Sequence, residues 1–463
     1  MTGRIASDLP SESRSQAALL LRAWALLLLV LPAKLVVGAL GAVGSPAQIL
    51  GMLAAVAWFV TVMTVRAVER SAADPIRWAY LAFAVACLVS YLMAVSRPIE
   101  SIELSAADRG MLLVMSWGGV LLTASDLLRT RRGLTQVLRT ICLGGAVAAA
   151  VGLVQYFTGD PLVTRLSIPG LSINGSYSTI YSRNGFERVA GTSTHPIEFG
   201  VLMAMVLPIA LHLAFHDTAR SRVRRWTPVV LLSAAVPIAM SRSALIGLGL
   251  VLLLIMPTWT RSRRRAGYVA LIAGIGAVYV TVPGLIGTMT RLFTGISGDT
   301  SAQSRVNSYD IALHFAGLSP LFGRGFGTFL PRYRILDNQY LGMLVEIGAV
   351  GLCSFVVLLV TGVVVTRRVF RMVPSGSPDR SLAMSLLATV VAAAAACATF
   401  DAFGFPQVGG LLFAALGLLG ALARMIDEEN RPPWIQAANE PDAVTAPIRM
   451  VIAGARRPGL GRR

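Results

Sequence analysis

Long apolar runs alternate with short basic connections along the chain, and twelve of the runs are candidates to cross a bilayer: Ala17–Leu40, Ile49–Val65, Trp78–Val95, Met111–Ala124, Val137–Phe157, Ile197–Phe215, Trp226–Met240, Ala244–Pro257, Tyr268–Ile286, Gln339–Val365, Leu382–Phe400 and Val408–Ala423. A helix needs about 20 such residues to span roughly 30 Å of hydrocarbon, and only helices or closed barrels satisfy their backbone there. The pattern therefore predicts an all-α polytopic membrane protein of about twelve transmembrane helices, with one membrane domain over residues 17–425. Residues 1–16 read as a cytoplasmic tail, since no small-residue cleavage site follows the first run. Residues 426–463, polar and basic at their end, read as a disordered cytoplasmic tail against anionic lipid.

The two wide polar gaps, residues 158–194 and 287–338, are the candidate loops for function. Arginines decide which side they face. The even-numbered connections carry clusters such as Arg220/Arg222/Arg224/Arg225 and Arg261/Arg263/Arg264/Arg265, which places those connections and both termini in the cytoplasm. Both wide gaps are then external. The larger one breaks the charge rule with Arg291, Arg305, Arg324, Arg332 and Arg334, and so points to an anionic partner outside.

Composition narrows the chemistry. The chain is 55% hydrophobic and 14% charged, with a formal charge of +18. Because the arginines sit in short connections between spans, that charge reads as topology and not as a nucleic-acid footprint. Cys87, Cys142, Cys353 and Cys397 stand singly inside apolar runs, and no histidine pair or acidic cluster has metal-ligand spacing, so no metal and no cofactor is expected. Lys34 is the only lysine.

Spacing singles out further residues. Trp226 to Met256 is flanked by basic clusters at both ends, yet two full spans would need about 40 residues. A short or re-entrant hairpin is predicted, with Arg242 at its tip below the external lipid surface. There it meets a phosphate, or serves as a snorkelling anchor or structural ion pair with Asp401 or Glu198. Pro196, with Glu198 in the same turn, marks a helix start that leaves Arg188 and His195 at its external end, where His195 binds substrate or caps and packs the helix. Arg305 guides an anionic glycan or meets headgroups, and Gly323, Gly325 and Gly327 read as turn glycines.

Four motifs in order resemble the O-antigen ligase and Wzy-type polymerase family: Arg188-Val-Ala-Gly191 before His195-Pro196; Ser241-Arg242-Ser243; Ser319-Pro320-Leu-Phe-Gly323-Arg-Gly325-Phe-Gly327; and Asp337-Asn338-Gln339-Tyr340 followed by Glu346-Ile-Gly348. The resemblance implies a GT-C-like, metal-independent glycosyltransferase in a bacterial plasma membrane. Such an enzyme moves a glycan from a polyprenyl-pyrophosphate donor to a hydroxyl of a glycan or lipid-glycan acceptor at the external face. By motif position Arg188 and Arg242 are the arginines that bind the donor pyrophosphate. The family's acceptor-activating histidine falls on Asp337, so its usual His-Asn pair reads Asp337-Asn338 here, which shifts the expectation from ligase towards polymerase. Guanidinium forks neutralise a leaving pyrophosphate without a metal, and a poor sugar nucleophile benefits from a base within reach. Asp337 is that base in one reading and a helix cap in another. With Asn338, these residues make the candidate site. The competing class, a polysaccharide transporter or flippase, predicts half-to-half repeats and mid-span charges, and the chain shows neither clearly.

Overall fold

The structure, a computed structural model, describes residues 11–64, 74–174, 180–183, 186–294 and 300–431; the side chains of residues 11–15, 42–43, 164, 180–183, 186, 291–293 and 300–307 fall outside that description. In chain order the helices are α1 (Ser11–Leu29), α2 (Pro46–Thr64), α3 (Pro75–Val95), α4 (Ser101–Leu122), α5 (Arg131–Thr158), α6 (Pro196–His216), α7 (Arg222–Ile238), α8 (Arg242–Ile255), α9 (Arg261–Thr281), α10 (Leu285–Thr294), α11 (Thr300–Leu318), α12 (Gln339–Glu346), α13 (Gly348–Met372), α14 (Pro378–Cys397) and α15 (Pro406–Glu429). A helix falls on each of the twelve apolar runs. Among the described residues, eight are long and apolar enough to cross a membrane: α2, α3, α4 with its extension to Leu127, α5, α6, α13, α14 and α15. The chain is a polytopic, all-α membrane protein, apart, among the described residues, from two small ribbons pairing β1 (Leu35–Val37) with β2 (Leu171–Ile173) and β3 (Ile180–Arg183) with β4 (Phe186–Val189).

Three elements depart from the sequence pattern. The first run stops being α-helical at Leu29, ahead of Pro32, and its remainder contains β1 and the start of a 3-10 helix at Gly38. The run from Gln339 breaks between α12 and α13, because the 319–327 turn packs into the break: Ala349 N donates to Pro320 O at 2.8 Å and Val350 N to Leu321 O at 3.1 Å. Gly348, at φ +67°, sits where a Cβ would overlap the Leu321 carbonyl. Finally, the polar island is not irregular throughout. It contains most of α10 and all of α11, and Ala312, Ala316, Leu336, Leu341 and Val345 form a small core of their own between α11 and α12.

The tight centre is α6 and α15, whose span windows are 94% and 100% buried. Small residues permit this: Gly417 of α15 lies so close to α4 that a Cβ would stand 2.5 Å from Leu121 O. Trp117 stacks on Phe413 at 4.7 Å and fills the adjoining layer. The outer helices α2, α3 and α13 expose large apolar side chains, among them Phe59, Met63, Leu92, Val357 and Val364, as lipid-facing surfaces require. α7 packs on α6 and α5, and α8 on α14 and α6. At 17 and 14 residues they measure about 26 and 21 Å, so the hairpin is shorter than the hydrocarbon, as its spacing predicts. Ion pairs lace the opposite end of the bundle: Arg131 to Asp379 at 2.7 Å and Glu429 at 2.8 Å, and Arg139 to Asp217 at 2.6 Å.

Candidate active site

The end of the bundle that holds His195, Arg242 and Asp337 is organised by the link between α14 and α15, residues 398–405. Glu198, fully buried in the first turn of α6, accepts from Thr194 N (2.8 Å), Thr194 Oγ1 (2.7 Å) and Gln407 N (2.9 Å). Gln407 in turn donates to Leu28 O at 2.8 Å and accepts from Ser193 Oγ at 2.5 Å, while Thr192 Oγ1 donates to Leu29 O at 2.7 Å. The loop ahead of α6 is thereby fixed to α1 and α15. These contacts commit both carboxylate oxygens of Glu198 to structure.

His195 caps α6, its Nδ1 accepting from Ile197 N at 3.1 Å, which leaves the proton of the neutral ring on Nε2. Burial, then the charges of Arg188 and Lys34, depress its pKa to about 4. At neutral pH His195 is uncharged, with its proton on Nε2.

Arg188 reaches the α7–α8 turn that leads into Arg242. From β4, the buried Arg188 donates through Nε to Ala239 O at 3.1 Å. Met240 follows at φ +45°, a left-handed conformation rare outside glycine, and Ser241 caps α8 by accepting from Ala244 N at 3.4 Å. Arg242 is the first residue of α8, where the helix dipole adds to its charge. Thr399 Oγ1 donates to Ser243 Oγ at 2.8 Å and so joins this turn to the 398–405 link.

Asp337 and Asn338 arrive on the same link from the other side. The cap of α12 is Asn338, one residue beyond Asp337: its Oδ1 accepts from Tyr340 N at 3.0 Å and Leu341 N at 3.3 Å, and its Nδ2 donates to Tyr309 at 3.4 Å. Gln339 Oε1 accepts from Phe403 N at 2.8 Å, and Tyr340 donates to Ala394 O at 2.8 Å. Asp337 faces Asp401 electrostatically. Burial first, opposed by a hydrogen bond at Gly404 and aided by the Asp337 charge, raises the Asp401 pKa to about 6. Asp401 is thus exposed to a cavity yet enclosed by protein.

That cavity measures about 630 Å³, and Lys34, Arg109, Arg334, Asn338, Glu346 and Asp401 are among its lining residues. Of the sequence-predicted site residues Asn338 lines it; Asp337 precedes that residue, and Arg188, Arg242 and His195 lie off its wall. The Arg305 side chain falls outside the described residues. The glycine-rich turn forms one wall and is held structurally. Arg324 donates to Glu103 at 2.8 Å and lies 5.1 Å from the Phe315 and Tyr333 ring centres, and Gly325 N donates to Glu346 O at 2.8 Å. Glu346, whose Oε1 accepts from Phe329 N at 3.3 Å, has its pKa raised by burial to about 8.

Across the α7–α8 turn, the polar island and the start of α13, the chain follows a known pattern. Residues 227–356 match the O-Antigen ligase family. The ligase-family segment contains Arg242, the glycine-rich turn, Asp337 and Asn338. Arg188, His195, Lys34, Arg109 and Asp401 reach the same end of the bundle from outside it. No curated protein matches the chain. Sequence reasoning offered Asp401 only as an ion-pair partner for Arg242, gave Lys34 no role and passed over Arg109, because each stands alone in its own stretch. Only the lone lysine gave a signal.

Proposed function

We propose that the protein is a glycosyltransferase of the external membrane face, moving a glycan from a polyprenyl-pyrophosphate donor to an acceptor hydroxyl in the manner of an O-antigen polymerase or ligase. The observation that carries this reading is the bond from Arg188 Nε to Ala239 O, which sets one guanidinium against the turn leading directly into Arg242. Two arginines and a helix N-terminus then face one anionic group. The donor pyrophosphate binds there, with His195 Nε2–H as a neutral donor nearby. The acceptor oxygen attacks the anomeric carbon, the bond from that carbon to the pyrophosphate oxygen breaks, and the polyprenyl pyrophosphate leaves with the bonding electrons. Asp337 takes the hydroxyl proton. Fixed guanidinium charge stabilises the leaving group without a metal ion. The ligase-family match over residues 227–356 supports the class, as do eight apolar helices long enough to hold such a site at a bacterial plasma membrane. The arginine pattern, read as marking the cytoplasmic connections and termini, supports a site that faces outside.

The test is donor affinity and transfer by Arg188→Ala and Arg242→Ala on purified protein. Losing one charge-assisted contact weakens donor binding roughly 10- to 100-fold, and lysine restores little because it lacks the fork. Unimpaired glycan assembly by both alanine variants at normal membrane abundance overturns the proposal.

A further inference from the structure

Three cations reach the cavity from distant parts of the chain: Lys34 between α1 and β1, Arg109 in α4 and Arg334 ahead of α12. Their placement is built. Lys34 is pinned by its own backbone, since Asn174 N donates to Lys34 O at 2.9 Å and Ala33 N to Thr192 O at 2.8 Å, and Arg334 Nε donates to Ser308 Oγ at 3.0 Å. Arg109 is exposed on the cavity wall and makes no hydrogen bond or ion pair with any described residue. The nearby carboxylates are engaged: Glu346 by backbone N–H groups of Gly327 and Phe329, Asp401 by that of Gly404, and Glu198, whose charge acts on Lys34, by Thr194 and Gln407. Between the charges the wall offers the amides of Gln48, Asn174 and Gln339 and the rings of Phe329 and Phe403. Amides suit hydroxyls, aromatic faces suit the apolar face of a pyranose, and the volume is that of a small-ligand site.

We propose that this cavity is a subsite for a sugar carrying an anionic group, a carboxylate or an acidic ester, held by Lys34, Arg109 and Arg334; the inference rests on the cavity being where the glycan lies. The sugars of a neutral glycan offer these three side chains no anionic group. The sole lysine of a chain otherwise served by arginine supplies a compact point charge there.

The lone lysine also supplies the assay. Full-length protein in nanodiscs of zwitterionic lipid is acetylated with an N-hydroxysuccinimide ester, and mass spectrometry follows modification at Lys34. Trigalacturonate is expected to slow this reaction about tenfold relative to its carboxyl-reduced counterpart, the equivalent of one contact of roughly 1.4 kcal/mol. Arg109→Gln is expected to remove most of that difference. Equal protection by the acidic and reduced sugars, or none by either, overturns the proposal. So does protection by phosphatidylglycerol in the disc with none by trigalacturonate, which makes the cations a headgroup anchor. Protection is read without donor and transfer in a separate assay with a polyprenyl-pyrophosphate donor: protection with no transfer there sinks the transferase reading alone, and transfer indifferent to sugar charge sinks this subsite alone.

Discussion

Replacing Glu198 by glutamine separates a fastener from a chemical group. In the native site Oε2 accepts two hydrogen bonds from Thr194 and Oε1 accepts one from Gln407 N, all between 2.7 and 2.9 Å. Glutamine offers one acceptor oxygen. With that oxygen towards Thr194, the amide NH₂ meets the Gln407 N–H, and a buried backbone donor is orphaned. With the oxygen towards Gln407, the Thr194 N–H is orphaned instead. One lost donor costs about 1–3 kcal/mol, and the remaining bonds lose their charge assistance, for a total of about 2–4 kcal/mol. The substitution also removes the negative charge that favours the Lys34 ammonium. Thermal unfolding of the purified variant, read beside single-turnover transfer at low temperature, measures both effects. A clearly lowered melting temperature with transfer retained where the protein is folded is the expected result. An unchanged melting temperature with transfer abolished would refute the reasoning and make Glu198 a reacting group.

Three other outcomes are expected. Gly348→Ala forces a Cβ onto the Leu321 carbonyl at φ +67°, so it should destabilise by about 2 kcal/mol or more, read as a lower melting temperature and reduced membrane abundance. Arg324→Ala removes the bond to Glu103 and the cation between Phe315 and Tyr333, at about 2–4 kcal/mol; lysine should rescue little, and a full rescue by lysine would show that the fork and its stacking are dispensable. Asp401, with its pKa raised to about 6, holds a proton that the unfolded chain has already lost above about 4. Its contribution to stability is therefore present at low pH and lost as the pH rises through about 6. Asp401→Asn should flatten the decline in melting temperature between pH 4.5 and 7.5, and an unaltered decline would show that another group is responsible.

The apolar runs made the helices legible, and the short Trp226–Met256 segment announced a hairpin too small to cross twice. Pro196 marked the start of α6, and the three glycines of the 323–327 turn, all at positive φ, marked where backbone must turn under a packed neighbour. Less was readable where tertiary contacts override local pattern. Nothing in Leu344-Val-Glu-Ile-Gly-Ala announces a helix break, because the break exists to admit a turn some twenty-five residues earlier. Asn338 and Asp337 are both good capping residues, and the start of α12 decides between them by one position. The cavity was illegible because its charges come one at a time from segments far apart in the chain. A lone Lys34, Arg109 or Asp401 carries no spacing signal until the fold collects them.

The most direct test of the proposed chemistry is single-turnover transfer by purified Asp337→Asn and Asp337→His, using a polyprenyl-pyrophosphate glycan and a glycan acceptor with donor binding measured in parallel. Loss of turnover in the asparagine variant with donor affinity intact, and partial recovery with histidine, is the predicted result. Full turnover by the asparagine variant would contradict it, and Asp337 would then not be the base.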